Sequence, residues 1–241
     1  ADWEQSDGVP LIEPAHRLDN MSYNTLSLTQ RVDAKISEKL HSDAWLKYNR
    51  NRMAWFGEEN YSYLVMPNIN FDYELNDDFN AHAKISYVEW FNETASENNT
   101  LGRPEMWINW DITDDNSLLA GFDYSFNEFT RSSVSRNTQY SFGVFAHDVH
   151  SLSDNFIIEA GARLDMVEDV DPVVAPQVSL LYKPVDLLGL RAGYSRGFHA
   201  PSLLELYEVG SGHGGAALRF GNPDLKPEYS NSFSIGSDFN F

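Results

Sequence analysis

The side chains of this 241-residue chain that could do chemistry are mainly carboxylates, and they form no recognisable catalytic set. Glu205 with Glu208, and Asp165 with Glu168 and Asp169, are close enough in sequence to act as paired carboxylates. Acidic residues are abundant, however, so acids that face solvent in loops are the simpler interpretation. The Ser, His and Asp residues lack a nucleophile elbow, and there is no cysteine. We therefore expect that the protein is not an enzyme.

Two other segments have the composition of ion-binding sites. The acidic turn at 113–116 carries the oxygen ligands that Ca²⁺ prefers, but a hydrophilic turn explains it more simply. The Gly-rich run at 210–215 resembles a phosphate-binding loop in composition alone, because no strand–helix context follows it. We expect no intrinsic cofactor, and we interpret the glycines as a flexible loop.

The most informative segment is 188–241, where two alternating stretches flank a long connection. Residues 188–194 alternate between apolar side chains and polar or small ones, and the alternation returns at 229–241, which predicts two strands. The roughly thirty residues between them exceed an ordinary hairpin loop, and long loops often bind ligands. Tyr207 and Phe220 offer stacking surfaces there. We expect this loop to project outward and to capture a ligand.

Period-two alternation recurs along nearly the whole chain, and it excludes helices, whose apolar positions recur at three and four. The pattern is clear at Ile69, Phe71 and Tyr73, which alternate with polar residues. The only helical segment expected is a short turn at 202–207. About eleven strands are predicted: 22–36, 44–56, 68–75, 79–87, 105–112, 118–126, 140–146, 156–166, 178–182, 188–195 and 229–241.

The predicted connections alternate between short polar turns and longer links, as in outer-membrane barrels. Short turns fall at 76–78, 113–117, 151–155 and 183–186, and longer links at 92–104, 128–137, 167–173 and 199–227. We therefore predict an all-β fold, an antiparallel transmembrane β-barrel, with the long loops extracellular. The residues expected to face lipid are Ile69, Phe71, Tyr73, Ala81, Ala83, Ile85, Phe122 and Tyr124, and those expected to face the lumen are Asn70, Asp72, His82 and Lys84.

Composition agrees with this class and excludes another. The formal net charge of −19 argues against a nucleic-acid partner, since a phosphate backbone needs a basic face. The mean hydropathy of −0.43 is compatible with a barrel because lipid-facing and lumen-facing residues alternate. The chain begins at Ala1 without a signal sequence, so we expect a mature or truncated polypeptide.

Two short motifs at the ends of the long loop resemble the paired FRAP and NPNL motifs of TonB-dependent outer-membrane receptors. They are Phe198-His199-Ala200-Pro201 and Asn222-Pro223-Asp224-Leu225, with His199 and Asp224 departing from the family pattern. The resemblance implies a 22-stranded barrel with an N-terminal plug domain and a TonB box. We therefore interpret residues 1–241 as a portion of a single β-barrel domain, too few strands to close by itself. We find no plug domain and no TonB box in this sequence.

The resemblance also implies a function and a set of partners. The expected role is active uptake of an iron complex such as haem across the bacterial outer membrane, with outer-membrane lipid, the TonB protein and a small-molecule ligand as partners. Receptors that take up haem carry a histidine between the two motifs, which makes His213 a candidate ligand of haem iron, and His199 could contribute. The alternatives are a siderophore or cobalamin receptor, in which His213 is incidental, and a passive porin-like or structural barrel.

Overall fold

A 12-stranded antiparallel sheet, here called the wall, dominates the computed structural model, which describes residues 2–9, 21–55, 58–94, 96–211 and 218–239. The connection between its last two strands contains a helix, α1 (Leu203–Tyr207), and two short strands, β12 (Val209–Ser211) and β13 (Arg219–Phe220). The strands of the wall are β1 (Asp2–Val9), β2 (Met21–Lys35), β3 (Leu40–Trp55), β4 (Glu58–Asn76), β5 (Phe79–Asn92), β6 (Glu97–Thr113), β7 (Asn116–Thr130), β8 (Thr138–Ser153), β9 (Phe156–Val167), β10 (Val173–Val185), β11 (Leu188–His199) and β14 (Glu228–Phe239).

All eleven predicted strands are present, and the sequence analysis missed β1 of the wall and the short strands β12 and β13. β1 was overlooked because its sequence, DWEQSDGV, is mostly polar and shows little alternation. Several strands are longer than predicted. β4 begins at Glu58, whereas the predicted strand began at 68. The earlier part was not predicted because Leu64 and Met66 interrupt the alternation of apolar and polar residues. β6 begins at Glu97, so the long link predicted at 92–104 shrinks to residues 93–96.

Strand order follows chain order, and the register gives the wall one apolar and one polar face. Ile69 lies opposite Ile85 and Phe71 opposite Ala83, whereas Asn70 lies opposite Lys84. Since directly opposed residues point to the same side of a sheet, the predicted separation of faces is confirmed. The apolar face continues across the wall through pairs such as Phe122 and Val144.

The apolar face of the wall is largely exposed, unlike the face of a sheet in a water-soluble domain. Ile85 and Phe122 are 53% and 44% exposed, and many other large apolar residues share this pattern. The most buried apolar residues that the structure describes are Phe129, Val173, Leu203 and Leu206. Leu203 and Leu206 lie in the connection between β11 and β14. Phe129 and Val173 lie at the ends of β7 and β10, next to the long connections. An apolar face without a protein partner is expected where the solvent is lipid.

The connections differ in length between the two ends of the wall, as predicted. At one end, two-residue turns at 77–78, 114–115, 154–155 and 186–187 join neighbouring strands. At the other, here called the long-loop end, the connections include 131–137, 168–172 and 200–227. Among the described residues, no helix is long and apolar enough to cross a membrane.

The wall has two open edges. β14 pairs with β11 alone, and β2 pairs with β1 and β3, so 22–36 and 229–239 are not joined in a small closed barrel. Phe233 and Ile235 on the β14 edge are 79% and 92% exposed. Unpaired backbone groups at such an edge are costly in hydrocarbon. The 12 strands therefore form an open segment of a barrel.

Candidate functional site

The connection between β11 and β14 begins with a capped helix. Ser202 is the N-cap of α1, and its hydroxyl accepts a hydrogen bond from the Glu205 amide at 3.3 Å. In return, the Glu205 carboxylate accepts from the Ser202 amide at 2.7 Å and from its hydroxyl at 2.8 Å. These bonds to Ser202 hold the pKa of Glu205 below its ordinary value of 4.5, with a smaller contribution from the charge of His199. The FRAP-like motif thus ends a strand and starts a helix.

The second motif closes against this helix. The Gly221 amide donates to the Glu208 carbonyl at 2.7 Å, and the Asn222 amide donates to the Glu205 carbonyl at 2.9 Å. The Asn222 side chain then accepts from the Asp224 amide at 3.0 Å, which forms a turn. A Cβ on Gly221 would lie 2.5 Å from backbone atoms of Leu206 and Tyr207. The two predicted motifs therefore meet and hold one small folded element together.

This element, called the loop unit (residues 200–211 and 218–227), contacts the connection between β7 and β8. The Ser135 amide donates to the Tyr207 carbonyl at 3.1 Å, and the Val209 amide donates to the Ser133 carbonyl. Gln139, in β8, donates to the Pro201 carbonyl at 3.4 Å. β10, β9 and β8 separate β11 from β7 in the sheet order. The described part of the loop therefore folds back across several strands and packs on the connection between β7 and β8.

Arg136 is the centre of the polar contacts that fasten the loop unit. Its guanidinium pairs with Glu168 at 2.5 Å and with Asp169. The Tyr207 hydroxyl donates to Asp169 at 2.9 Å, and the guanidinium carbon lies 5.6 Å from the centre of the Tyr207 ring. The hydrogen bond to Tyr207 and the charges of Asp169 and Glu168 raise the pKa of Arg136. The cluster joins three separate connections of the chain.

A second arginine strengthens the same junction. Arg131 lies 3.8 Å from the Glu208 carboxylate and 3.7 Å from that of Glu97. The Glu208 side chain is 9% exposed, so this contact is better shielded from water than a surface ion pair. The sequence analysis missed the roles of Arg131 and Arg136. Their partners lie far away in the sequence, for example 71 residues from Arg136 to Tyr207, and no local pattern reveals such a contact.

The predicted site residues have different surroundings. Phe220 is 70% exposed, on the β12–β13 pair, with an open ring available for stacking. Tyr207 is less available to a ligand, because the Arg136 guanidinium lies over its ring and its hydroxyl donates a hydrogen bond to Asp169. His199 is exposed at the end of β11, opposite Glu228. His213 lies outside the described residues. Phe198 lies in β11 opposite Tyr229, and Ala200, Pro201, Pro223 and Leu225 lie in the loop unit.

The polar face of the wall carries a ladder of ion pairs. Asp123, whose side chain is 4% exposed, pairs with Arg163 at 2.6 Å and Arg103 at 3.2 Å. Arg163 also pairs with Asp165 at 2.7 Å. The ladder continues from Glu105 to Lys84 at 3.2 Å. The ladder thereby connects β5, β6, β7 and β9 on the face that points away from the apolar surface, with the Arg163–Asp123 pair crossing β8.

Comparison with known proteins identifies a family with this architecture. A family model described as "TonB dependent receptor-like, beta-barrel" matches residues 3–241. The siderophore receptor PirA of Pseudomonas aeruginosa superposes with a TM-score of 0.81 at 16% identity, over 92% of this chain and 44% of that one. A mutant of the ferric enterobactin receptor PfeA from the same organism superposes with a TM-score of 0.79 at 16% identity, over 94% and 42%.

A curated relative is similar over a shorter stretch. The iron-regulated outer membrane virulence protein of Vibrio cholerae is 33% identical over 109 residues, which are 45% of this chain and 16% of the relative. The chain thus spans less than half the length of the solved receptors that it matches.

Proposed function

Because the chain belongs to the TonB-dependent receptor family, we propose that it supplies part of the barrel of a receptor for active uptake of an iron complex of the siderophore type. The family resides in the bacterial outer membrane, and its members are transporters rather than enzymes, with iron complexes as ligands and no intrinsic cofactor. The printed names of the similar structures, which include siderophore and ferric enterobactin receptors, support this choice of ligand class.

The observation that carries the proposal is the loop unit at the long-loop end of the wall. A flexible thirty-residue loop would lose conformational entropy on binding, which weakens affinity. Here the capped helix, the contact at Gly221 and the Arg136 cluster have already ordered much of the loop. The exposed Phe220 ring, with Arg219 beside it, presents an aromatic and a cationic group. An anionic, aromatic iron complex has chemistry complementary to both.

The first test measures the binding of ferric enterobactin, used as a probe, to the complete receptor. Phe220→Ala should weaken binding by about tenfold, because a stacked aromatic pair contributes about 0.5–1.5 kcal/mol beyond its buried area. Phe233→Ala is the matched control, since Phe233 is similarly exposed but lies on the wall. Equal affinities for the wild type and Phe220→Ala would remove Phe220 from the proposed site.

Haem is the second candidate ligand, favoured by the position of His213 between the two motifs. If haem binds, His213 in its neutral form supplies an axial nitrogen, with His199 at the base of the loop as a second contact. His213→Ala should then weaken haem binding and shift the Soret band. An unchanged spectrum and affinity in that variant would make His213 incidental and leave siderophore or cobalamin uptake as the better proposal.

Energy coupling separates active uptake from a passive pore. We propose that the complete receptor works with the TonB protein, as the family name implies. Uptake of the iron probe by cells that express the complete receptor should disappear when TonB is deleted. Uptake that continues unchanged without TonB would favour the porin-like alternative.

A further inference from the structure

Two arginines on the apolar face of the wall stand out because they have no acidic partner among the described side chains. Arg50 lies opposite Tyr63 in the register, and Arg196 lies opposite Asn231 next to the pair of Tyr194 and Phe233. Most other described arginines form ion pairs, as expected in a chain with a net charge of −19. An unpaired cation on a lipid-facing surface needs a separate explanation.

Both arginines have the same local geometry. The guanidinium of Arg50 lies 5.2 Å from the centre of the Tyr61 ring, and that of Arg196 lies 4.3 Å from the centre of the Tyr229 ring. In each case the tyrosine is two residues before the directly opposed residue, on a strand that starts at the long-loop end. Both side chains therefore lean toward the long-loop end, and each is oriented by an aromatic ring.

The height of Arg50 on the wall matches the edge of a hydrocarbon layer. From Tyr73, near the short turns, to Tyr63, opposite Arg50, the strand advances about 33 Å at ~3.3 Å per residue. Strands in such barrels tilt by about 35–45°, which converts this length to about 25 Å, the height of the apolar band. Arg196 lies eight residues beyond Leu188, the first residue of β11, which is about 26 Å along the strand and about 20 Å in height at the same tilt. Because both arginine side chains lean toward the long-loop end, their guanidinium groups lie nearer to the lipid headgroups than to the middle of the lipid tails.

Neighbouring carboxylates do not neutralise these two cations. Glu59, close to Tyr61 in the sequence, is engaged by Arg52 and accepts from the Tyr61 hydroxyl at 2.5 Å. Near Arg196, the Tyr194 hydroxyl donates to Asn231, which carries no charge. A guanidinium in a position of this kind is suited to bind a phosphate through two parallel hydrogen bonds.

We propose that Arg50 and Arg196 are two binding sites for phosphorylated lipid headgroups of the membrane leaflet on the long-loop side. Each site combines a guanidinium that contacts the phosphate and a tyrosine ring that orients it at the interface. The inference goes beyond iron uptake, and it rests only on the placement of the wall in the outer membrane.

The test measures lipid retention by the complete receptor. The purified receptor is incubated with vesicles that contain diphosphorylated lipid A, or the same lipid without its phosphates, and retained lipid is counted by native mass spectrometry. The double variant Arg50→Gln with Arg196→Gln should retain the phosphorylated lipid roughly tenfold to thirtyfold less, the effect expected for two cations near an anionic surface. Inorganic phosphate at the same concentration should compete poorly, which distinguishes a lipid site from a general anion site.

The matched control removes the same charge from the other face. Arg31 and Arg191 lie on the polar face, where they pair with Asp43 and Asp238 at 2.5 Å and 2.6 Å. The double variant Arg31→Gln with Arg191→Gln should retain lipid like the wild type, and Arg50→Lys with Arg196→Lys should retain an intermediate amount. Equal retention of both lipids by the wild type, or equal losses in the two Gln double variants, would overturn the proposal. Effective competition by inorganic phosphate would also overturn it.

Discussion

The wall and the loop unit are stabilised in opposite ways, although one continuous chain builds both. The wall is regular, with 12 strands paired over most of their length, but few of its apolar side chains are buried against protein. The loop unit has little regular structure, yet Leu203 and Leu206 are only 2% and 4% exposed. The difference follows from the solvent. An element in lipid needs satisfied backbone hydrogen bonds, whereas one in water needs a buried apolar core.

Polar contacts follow the same division. On the wall, ion pairs form a ladder along the polar face, between neighbouring strands or across one intervening strand. At the loop unit, Arg136 and Arg131 of the connection between β7 and β8 contact Tyr207 and Glu208, which are more than 70 residues away in the chain. Variants of the wall should therefore alter the stability of the whole sheet, and variants of the loop unit should act locally.

The largest effect is expected from Asp123→Asn, on the wall. This carboxylate is almost fully buried between Arg103 and Arg163, and breaking a buried ion pair costs about 3–5 kcal/mol. The free energy of unfolding of the complete receptor in urea should fall by about 3 kcal/mol, because Arg163 retains Asp165. Asp238→Asn, which breaks an exposed pair with Arg191, should cost less than about 1 kcal/mol. If both variants lost the same free energy of unfolding, burial of Asp123 would not strengthen the ion pairs of the ladder.

A slightly smaller effect is expected from a charge on the apolar face. Val178→Arg, near the middle of β10, should cost about 2–4 kcal/mol because the new charge would face hydrocarbon. Ser179→Arg, one residue later, should cost less than about 1 kcal/mol, since it faces the other side and Ser179 already donates to Glu159 at 2.9 Å. Urea unfolding in lipid vesicles measures both. A larger loss for Ser179→Arg would reverse the assignment of the two faces.

In the loop unit, Arg136→Gln should loosen the junction while leaving the wall intact. The guanidinium is partly exposed, so the local cost should be about 1 kcal/mol. Hydrogen exchange of the amides at 203–211 should become faster by roughly fivefold, with no change in β7 or β8. Lys35→Gln, which removes an exposed pair with Glu38, should leave exchange in the loop unit unchanged. Faster exchange throughout the wall would contradict the proposed independence of the two regions.

The smallest effect concerns pH and the helix cap. Since the pKa of Glu205 is lower in the folded loop unit than its ordinary value, ionised Glu205 stabilises α1 above pH 4.5. This contribution should be lost as the pH falls through the folded pKa, below 4.5. Exchange at α1 should accelerate over that range in the wild type and show a weaker pH dependence in Glu205→Gln. The same pH dependence in both proteins would exclude Glu205 as the titrating group.

The sequence was sufficient to predict the wall but not the loop unit. Alternation at Ile69, Phe71 and Tyr73 reports a local property, the side to which each residue points, so the faces were predictable. β1 was missed because its polar sequence lacks that signal. The motif residues Pro201 and Asn222 were recognised, but their contribution to holding the loop unit together depends on contacts between distant segments.

The central claim is that the ordered loop unit captures the iron complex, and a pair of single-methyl substitutions tests it most directly. Gly221→Ala would place a carbon 2.5 Å from backbone atoms of Leu206 and Tyr207, whereas the same change at Gly189 meets its nearest atoms at 3.7 Å. The measurement is uptake of ⁵⁵Fe, supplied as ferric enterobactin or as haem, by iron-starved cells that express the complete receptor. We expect wild type and Gly189→Ala to import one of these probes and Gly221→Ala to import it about tenfold less. Undiminished uptake by Gly221→Ala would contradict the account.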